Sequence, residues 1–450
     1  MYDVDVAFIG SGHACNHGAI ALAMAGKKVV FVEEDKMGGT CTNFGCDAKI
    51  LLDGPFEYQE GLKRYEDICV SGVGTIDWHK LMAYKKQVIG SLDPLLAQLF
   101  TKMGIEIVRG HGRLTDAHTI EADGKKITAE YIVLGTGQRD AKLTCPGSEH
   151  IHTSKDFLDI DDMPDSIVFI GAGIISMEFA SMALALGKEV TFIEYAPRAL
   201  LAYPKAYVQQ LVEKMESQGA VFHFNESVSE VQKTADGYTV RTQSGLEARG
   251  TYVLGAVGRV ANYEDLGLEA LGIEAGAHGI KVDDHLRTAV PNIFASGDVV
   301  DSHEPKLTPV AEYDSNYIAS QILGLDTQPI QYPVIPNLVF TLPRIAQVGV
   351  SVDTAAEDTE HYKVVTVPYG QQNEWIDNRE TDISITFVLD QEGYLAGAAI
   401  YGDEGGPWID FLTLIINGKM TAADLHKMIF AFPTQTYMLV SALTPLLKQF

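Results

Sequence analysis

The sequence predicts an α/β fold with two doubly wound domains, followed by a C-terminal domain of the α+β class. The main observation is a pattern of strand, glycine turn, helix and strand that occurs twice. The first glycines of the two copies, Gly10 and Gly171, lie 161 residues apart, which indicates a duplication at domain scale. From about Gln331, short strand-like runs and a helical stretch replace this pattern. The length of 450 residues also exceeds what one hydrophobic core normally supports.

Each copy predicts the same three elements in the same order. In the first copy, a strand, a helix and a strand are predicted over Tyr2–Gly10, Ala14–Ala25 and Lys28–Glu33. In the second, they are predicted over Ser166–Gly171, Ile175–Leu186 and Glu189–Glu194. In the C-terminal part, strands are predicted over Pro336–Phe340, Asp382–Leu389 and Leu395–Tyr401. Alternating parallel strands and helices bind ligands at the carboxyl ends of the strands.

The first glycine turn has the features of a dinucleotide site. Gly10 permits a tight turn, and Gly12 lets backbone N–H groups approach a pyrophosphate at the start of the helix. Cys15 takes the third position of the motif, where a small residue allows close helix packing. Glu33 ends the second strand, where a carboxylate accepts hydrogen bonds from ribose hydroxyls.

The second glycine turn repeats these features. Gly171 and Gly173 open the helix, and Glu194 ends the following strand. A carboxylate at this place binds the 2′-hydroxyl of NADH and repels the 2′-phosphate of NADPH. Arg198 lies four residues further on, within reach of such a phosphate. We therefore expect NADH, with NADPH possible, and electron transfer between two cofactors in one chain.

The composition indicates a globular protein with a large excess of acidic residues. Hydrophobic residues make up 46% of the chain, charged residues 21%, and the net charge is −26. Because nucleic acids and anionic lipids attract basic surfaces, we expect neither nucleic acid nor membrane partners. No apolar run reaches the ~18 residues of a membrane span. The N-terminus lacks an export signal, so a cytoplasmic protein is expected.

A cysteine pair, Cys41 and Cys46, follows the first copy in the sequence Gly-Gly-Thr-Cys-Thr-Asn-Phe-Gly-Cys. Zinc normally takes four ligands and no second cysteine pair is present, so we predict a dithiol that forms a disulfide and no metal site. A helix is expected just beyond, and its N-terminus would favour the thiolate at Cys46. The remaining cysteines are expected to be buried small residues: Cys15, Cys69 and Cys145.

These motifs together resemble the pyridine nucleotide-disulfide oxidoreductase family, the group of dihydrolipoamide dehydrogenase, glutathione reductase and mercuric reductase. The resemblance extends over essentially all 450 residues, and the cysteine motif is its most specific part. It implies two doubly wound Rossmann-like nucleotide-binding domains and a C-terminal α+β dimerisation domain. The implied ranges are 1–155 and 271–330 for the FAD-binding domain, 156–270 for the NAD(P)-binding domain and 331–450 for the dimerisation domain.

The resemblance also implies a route for electrons, from NAD(P)H to FAD, then to a Cys41–Cys46 disulfide and finally to a small-molecule acceptor. Cys41 becomes the thiol that attacks the acceptor, and Cys46 becomes the thiol beside the flavin. Cofactor contacts are implied for Gly10, Gly12, Glu33, Gly39, Thr40, Gly112, Thr136, Gly137, Gly171, Gly173, Glu194, Gly258, Gly297, Asp298 and Thr308.

Lys49 resembles the lysine beside the reactive edge of the flavin, which pairs in the family with a glutamate matching Glu178. The family places this lysine four residues after the second cysteine, with a proline between them, whereas here it follows Cys46 by three. One residue turns a helix by about 100°. The alternative to the ion pair is a solvated Lys49 at the surface.

The C-terminal motif departs from the family. Its disulfide reductases carry His-Pro-Thr-x-x-Glu, in which the histidine protonates the leaving thiol. Here Phe432 replaces the histidine and Tyr437 replaces the glutamate. A phenyl ring carries no proton. The other histidines of this region are His361 and His426, and His426 belongs to a predicted helical stretch over 422–429 where we expect it at the surface.

Several acceptors remain open. A disulfide or another oxidised sulfur compound with a good leaving group needs little acid assistance, and Tyr437 is a weak proton donor. A quinone, a metal or another non-disulfide acceptor is the second class. Carbon-centred chemistry similar to ketopropyl coenzyme M oxidoreductase/carboxylase, a family member that also has phenylalanine at this position, is the third. A flavin-bound redox sensor without turnover is a non-enzymatic alternative. We favour the sulfur acceptor.

The resemblance implies a homodimer, in which the segment carrying Phe432 faces the cysteine pair of the partner subunit. Some family members have a tyrosine at the position of Ile174, where it covers the nicotinamide site. Because isoleucine stands here, we expect an open site and activity towards dyes.

Overall fold

The computed structural model describes residues 2–373 and 379–449 and has the predicted fold class. Two units with parallel sheets precede a C-terminal unit with an antiparallel sheet. In the described ranges, no helix is both long enough and apolar enough to cross a bilayer.

The first unit is a doubly wound sheet with an antiparallel extension. Its elements are β1 (Val4–Ile9), α1 (His13–Met24), β2 (Val29–Glu33), α2 (Gly39–Phe44), α3 (Cys46–Lys63), α4 (Trp78–Lys102), β3 (Glu106–Arg109), β4 (Arg113–Asp116), β5 (Thr119–Ala122), β6 (Lys125–Leu134), β7 (Gln138–Asp140) and α5 (Ser154–Phe157). The sheet order is β3-β2-β1-β6-β5-β4, and the pairs among β3, β2, β1 and β6 are parallel. Because helices cover both faces, β1 and β2 are almost entirely apolar and buried.

The second unit repeats this architecture. Its elements are β8 (Ser166–Ile170), α6 (Ile174–Ala185), β9 (Glu189–Glu194), α7 (Lys205–Ser217), β10 (Val221–Phe224), β11 (Val228–Thr234), β12 (Gly237–Thr242), β13 (Glu247–Gly250), β14 (Tyr252–Gly255) and β15 (Arg259–Ala261). The strands β10-β9-β8-β14 form a parallel sheet, and β11-β12-β13 form an antiparallel one. Strand β15 pairs with β7 and returns the chain to the first unit.

The chain then completes the first sheet. The elements of this segment are β16 (Ala275–Gly276), β17 (Gly279–Ile280), β18 (Ile293–Ala295) and α8 (Thr308–Ile322). Strand β18 pairs in parallel with β6, and α8 packs against α1. The helices approach closely at Gly18, whose N–H donates to Oγ of Ser315 at 2.9 Å. A Cβ at Gly18 would lie 2.4 Å from the Ser315 carbonyl oxygen, so this contact requires glycine.

The C-terminal unit is an antiparallel sheet with helices packed against it. Its elements are β19 (Asn337–Val339), β20 (Ile345–Gly349), α9 (Val352–Glu357), β21 (Tyr362–Val367), α10 (Tyr369–Asn373), β22 (Ser384–Asp390), β23 (Leu395–Tyr401), α11 (Gly405–Asn417), α12 (Ala422–Leu425) and α13 (Gln435–Leu443). The strand order is β19-β20-β23-β22-β21. Phe387, Ile400, Trp408 and Leu412 are buried in the core of this unit.

Most predicted elements agree with the structure to within one or two residues at each end. The predicted helical stretch over 422–429 is too long, because α12 ends at Leu425. Of the single cysteines, Cys15 is buried as expected, whereas the expectation was wrong for the other two. Cys69 is exposed and Cys145 is half-buried, and they lie in the connections after α3 and β7, outside the regular elements.

Candidate active site

The predicted cysteine pair lies on two consecutive helices. Cys41 is in the middle of α2, and Cys46 is the first residue of the 18-residue helix α3. The side chain of Cys41 is half-buried and that of Cys46 is exposed. Sγ of Cys46 lies 3.8 Å from Oγ1 of Thr308, the first residue of α8. The structure therefore brings together the thiol pair and the N-terminal ends of two long helices.

The two thiols differ in their acidity. The hydrogen bond that Cys41 donates lowers the pKa of Cys46 to about 6, and the Thr308 hydroxyl and the Lys49 charge act in the same direction against partial burial. The same hydrogen bond and burial raise the pKa of Cys41. Near neutral pH, Cys46 is therefore the thiolate of the pair and Cys41 holds the proton.

Lys49 is paired and does not face the solvent. Its Nζ lies 2.9 Å from Oε1 of Glu178, and it stands 4.0 Å from the centroid of the Phe340 ring. Phe340 also donates its backbone N–H to Glu178 at 2.8 Å. Burial raises the pKa of the Glu178 carboxyl group, and the Lys49 charge opposes this effect. The ion pair therefore forms despite the shortened spacing after Cys46.

The first glycine turn packs so closely that a side chain would clash. Gly10 has a φ of +106°, and a Cβ there would lie 2.5 Å from the Gly135 carbonyl oxygen. Gly12 caps α1, and its Cα faces that of Gly39 in the cysteine segment. A Cβ at Gly297, where φ is +72°, would lie 2.7 Å from Cβ of Ala14. Backbone from separate segments thus meets around the start of α1, which fits a bound dinucleotide.

Two acidic residues, Glu33 and Asp298, belong to the segments that meet around this turn. Glu33 accepts hydrogen bonds from Oγ of Ser11 at 2.6 Å and from the N–H of Asp35 at 2.9 Å. Burial raises the pKa of Glu33 and also that of Asp298, which lies in a short 3₁₀ helix over Gly297–Val299. Both carboxyl groups lie in partly closed surroundings, where a hydroxyl-rich ligand would find hydrogen-bond acceptors.

The remaining positions predicted to contact FAD lie at the same side of the sheet or on its connection to the second unit. A Cβ at Gly112 would lie 2.9 Å from Cγ1 of Val32, near the carboxyl end of β2. Thr136 exchanges two hydrogen bonds with Asn262, and the N–H of Asn262 donates to the Gly137 carbonyl oxygen. Sequence reasoning missed Asn262. Thr40 lies in the exposed first turn of α2.

The second glycine turn is built in the same way. Gly171 has a φ of +95°, and a Cβ there would lie 2.6 Å from the Ala256 carbonyl oxygen. Gly173 caps α6, and space is open around it and around Gly258. Ile174, the first residue of α6, is exposed.

Glu194, which ends the strand after the second glycine turn, is buried and hydrogen-bonded to backbone N–H groups. Glu194 accepts hydrogen bonds from the N–H groups of Ala172 and Ala196. Arg198 donates to the carbonyl oxygens of residues 199, 200 and 201, so its guanidinium group is engaged with the backbone.

Phe432 and Tyr437 lie apart from the cysteines. Their rings contact each other in the C-terminal unit with centroids 5.1 Å apart, and Phe432 is 67% exposed. Among the described residues, no hydrogen bond or ring contact joins either of them to Cys41 or Cys46. His426 is exposed, as expected.

A buried ion pair that sequence reasoning missed connects α3 to the C-terminal unit. The guanidinium group of Arg344, the residue that precedes β20, donates to both carboxylate oxygens of Asp53 at 3.2 and 2.5 Å. Both side chains are almost fully buried, and Arg344 also contacts Glu57. No local motif marks this pair, because its members are far apart in the sequence.

Comparison with known proteins gives the family and the same architecture. Residues 4–315 match the family model described as pyridine nucleotide-disulphide oxidoreductase, and residues 335–443 match the model of its dimerisation domain. A dihydrolipoyl dehydrogenase of Bacillus subtilis (strain 168) is 31% identical over 445 residues, which cover 96% of this chain and 94% of the relative. A glutathione reductase of Pisum sativum, described as chloroplastic/mitochondrial, is 28% identical and covers 100% of this chain and 84% of its own.

One solved structure has a similar fold over nearly its whole length. It is the HOCl-induced flavoprotein disulfide reductase RclA from Escherichia coli, with a TM-score of 0.88 and 22% sequence identity. The match covers 98% of this chain and 99% of the other.

Proposed function

Because this chain belongs to the pyridine nucleotide-disulphide oxidoreductase family, whose members are FAD- and NAD(P)H-dependent, we propose that it reduces an oxidised sulfur compound with electrons from NADH. The observation that carries this proposal is the unequal acidity of Cys41 and Cys46 beside Thr308. One thiol of such a pair serves as a stable thiolate, and the other attacks the acceptor.

Bound FAD would supply two-electron transfer, taking a hydride from the nicotinamide and passing the electron pair to the disulfide. The N-terminal ends of α3 and α8 stabilise negative charge at Cys46. Cys41 loses its proton to solvent, and its thiolate attacks one sulfur of the acceptor disulfide and releases the other as a thiolate. The Cys46 thiolate then attacks the mixed disulfide, which releases the second thiolate and re-forms the Cys41–Cys46 bond.

Two features of the second nucleotide site support NADH as the electron donor. The Glu194 carboxylate lies at the end of β9, where it favours a ribose hydroxyl over a phosphate. Arg198 is held by backbone carbonyl oxygens and is not free to bind a 2′-phosphate. We expect a lower KM for NADH than for NADPH in steady-state assays.

We propose that the protein works as a homodimer. The chain has the dimerisation domain of its family. The segment from the end of α12 to the first turn of α13 exposes four large apolar side chains: Met428, Ile429, Phe432 and Tyr437. Burial of these side chains against a second subunit would remove them from water. This arrangement would place Phe432, which stands where the family has its proton-donating histidine, beside the partner's cysteines.

The lack of a histidine on this segment restricts the choice of acceptor. Phe432 carries no proton and Tyr437 is a weak donor, so the leaving group departs with little acid assistance, which favours thiols of low pKa. The same observation supports a second candidate function, the reduction of an acceptor that releases no thiol, such as a quinone or a metal ion. Carbon-centred chemistry remains the third class of reaction considered for this site.

An anaerobic NADH titration followed by an acceptor screen tests the proposal. Titration should produce the long-wavelength charge-transfer absorbance of a thiolate next to oxidised flavin, and Cys46→Ser should lack it. NADH oxidation should then be fastest with a low-pKa disulfide, a persulfide or hypothiocyanite. Faster turnover with quinones or metal ions that persists in Cys41→Ser would overturn the sulfur assignment, and no steady turnover with any acceptor would indicate a redox sensor.

A further inference from the structure

Two histidines and a glutamate converge beside α1 and α8. Nδ1 of His13 lies 3.0 Å from Oε1 of Glu312, and Nε2 of His17 lies 3.2 Å from the same oxygen. The two nitrogens are themselves 3.2 Å apart. The three atoms therefore form a nearly equilateral triangle, with two corners from α1 and one from α8.

Hydrogen bonds alone cannot satisfy this triangle while the Glu312 carboxylate is ionised. Each of the two nitrogens carries at most one hydrogen, and a nitrogen that donates has no lone pair left to accept. If both nitrogens donate to Glu312, two N–H groups face each other across 3.2 Å, as the distance between His13 and His17 shows. If only one nitrogen is protonated, a lone pair faces the carboxylate. With Glu312 ionised, one edge of the triangle is repulsive in each of these cases.

A metal ion satisfies all three atoms at once. Ligand atoms about 2.0–2.1 Å from a first-row ion lie roughly 3.3 Å apart in a tetrahedral site, or about 3.0 Å apart for neighbouring octahedral ligands. The observed edges of 3.0–3.2 Å lie in this range. Two imidazoles with a carboxylate suit zinc and its neighbours in the first transition row, whereas Mg²⁺ and Ca²⁺ prefer oxygen ligands.

The two helices hold these ligands in a fixed arrangement. His13 and His17 are four residues apart, so they lie on one face of α1. The contact between Gly18 and Ser315 fixes α1 against α8 close to Glu312. The three side chains are between 23% and 36% exposed, so an ion from solution has access and a further coordination position stays open.

We propose that His13, His17 and Glu312 form a binding site for a divalent first-row transition-metal ion, beside the redox centre. Glu312 lies four residues after Thr308 on α8 and shares its face of the helix. Since one helical turn rises about 5.4 Å, the ion sits roughly one turn from the contact between Thr308 and Cys46. This inference does not depend on which electron acceptor the protein uses.

Binding of Co²⁺ to the FAD-loaded protein tests the site through a spectroscopic signal. A Cys41→Ser/Cys46→Ser background removes the paired thiols, which would otherwise compete for the metal. We expect one Co²⁺ per chain with visible d–d bands, and displacement of Co²⁺ by Zn²⁺. His17→Gln and Glu312→Gln should each weaken the affinity at least about tenfold.

His111→Gln is the matched control. His111 also pairs with a single carboxylate, with Nδ1 2.8 Å from Oε2 of Glu34, but the pair includes no second imidazole. This variant should bind Co²⁺ as tightly as its parent. Flavin absorbance and thermal unfolding verify the fold of each variant, and either of His17→Gln and Glu312→Gln suffices if the other fails to fold. Equal Co²⁺ affinity in the folded ligand variants, the control and the parent would overturn the proposal, and NADH turnover plays no part in this readout.

Discussion

The Lys49 ammonium group lies 2.9 Å from Oε1 of Glu178, in an ion pair that connects α3 of the first unit to α6 of the second. The exposed fractions of the two side chains are only 17% and 4%. A buried pair of this kind depends on both partners, because either charge alone would be left without compensation. It also places a cation one helical turn after the Cys46 thiol.

Lys49→Met should slow flavin reduction by NADH and raise the pKa of Glu178. Without the ammonium group, the hydrogen bond from the Phe340 N–H still opposes burial, but the largest opposing effect is lost and the pKa of Glu178 rises further. Stopped-flow measurement of flavin reduction should give a rate at least about tenfold below the parent, if loss of the charge costs ~1.4 kcal/mol or more. Lys85→Met is the control, because Lys85 forms a similar 2.7 Å pair with Asp159. Equal losses in both variants would indicate a structural effect.

The charge-transfer absorbance should depend on pH through Cys46. The pKa of this thiol is lowered to about 6, so the thiolate persists from high pH down to that value and is lost as the pH falls through it. A pH titration of Cys41→Ser, which retains a hydroxyl donor, should follow this course. Thr308→Val should move the midpoint to higher pH, because it removes a hydrogen bond to the thiolate. A midpoint near the ordinary thiol value of ~8.5 in Cys41→Ser would contradict the assignment.

Phe432→His should increase turnover with ordinary disulfides such as glutathione disulfide or lipoamide. A histidine would supply the missing proton to the leaving thiol, which is worth about 10²-fold or more when it is well placed. Steady-state kcat/KM is the measurement. Phe432→Leu makes a similar change in size without a proton, and equal rates for the two variants would show that the acid is not what limits the reaction.

Arg344→Met should destabilise the contact between the first unit and the C-terminal unit. It would leave the Asp53 carboxylate buried without its guanidinium partner, a loss of about 3–5 kcal/mol. Thermal unfolding should show a clearly lower midpoint. The exposed Arg139–Glu264 pair provides the control, since Glu264→Gln should cost no more than about 1 kcal/mol. Similar midpoints for the two variants would show that the buried pair is not stabilising.

The sequence by itself determined the features that depend on contiguous residues. The turns at Gly10 and Gly171 follow from a strand, a glycine and a helix that are neighbours along the chain. The cysteine motif likewise predicted a helix beyond the pair, and α3 begins at Cys46. The replacement of the family's histidine by Phe432 is also visible in the sequence, because it is a substitution within a short motif.

Only the tertiary structure decided which distant side chains meet. Two examples are the contact of Phe340 with Lys49 and the pairing of Asp53 with Arg344. Each joins segments far apart in the chain, and no periodic pattern in the sequence links such segments. The spacing of His13 and His17 is visible in the sequence, yet the carboxylate that completes their cluster comes from a helix added after the whole second unit. Folding brings α8 back onto α1, and that packing, which no local propensity encodes, brings the two imidazoles and the carboxylate together.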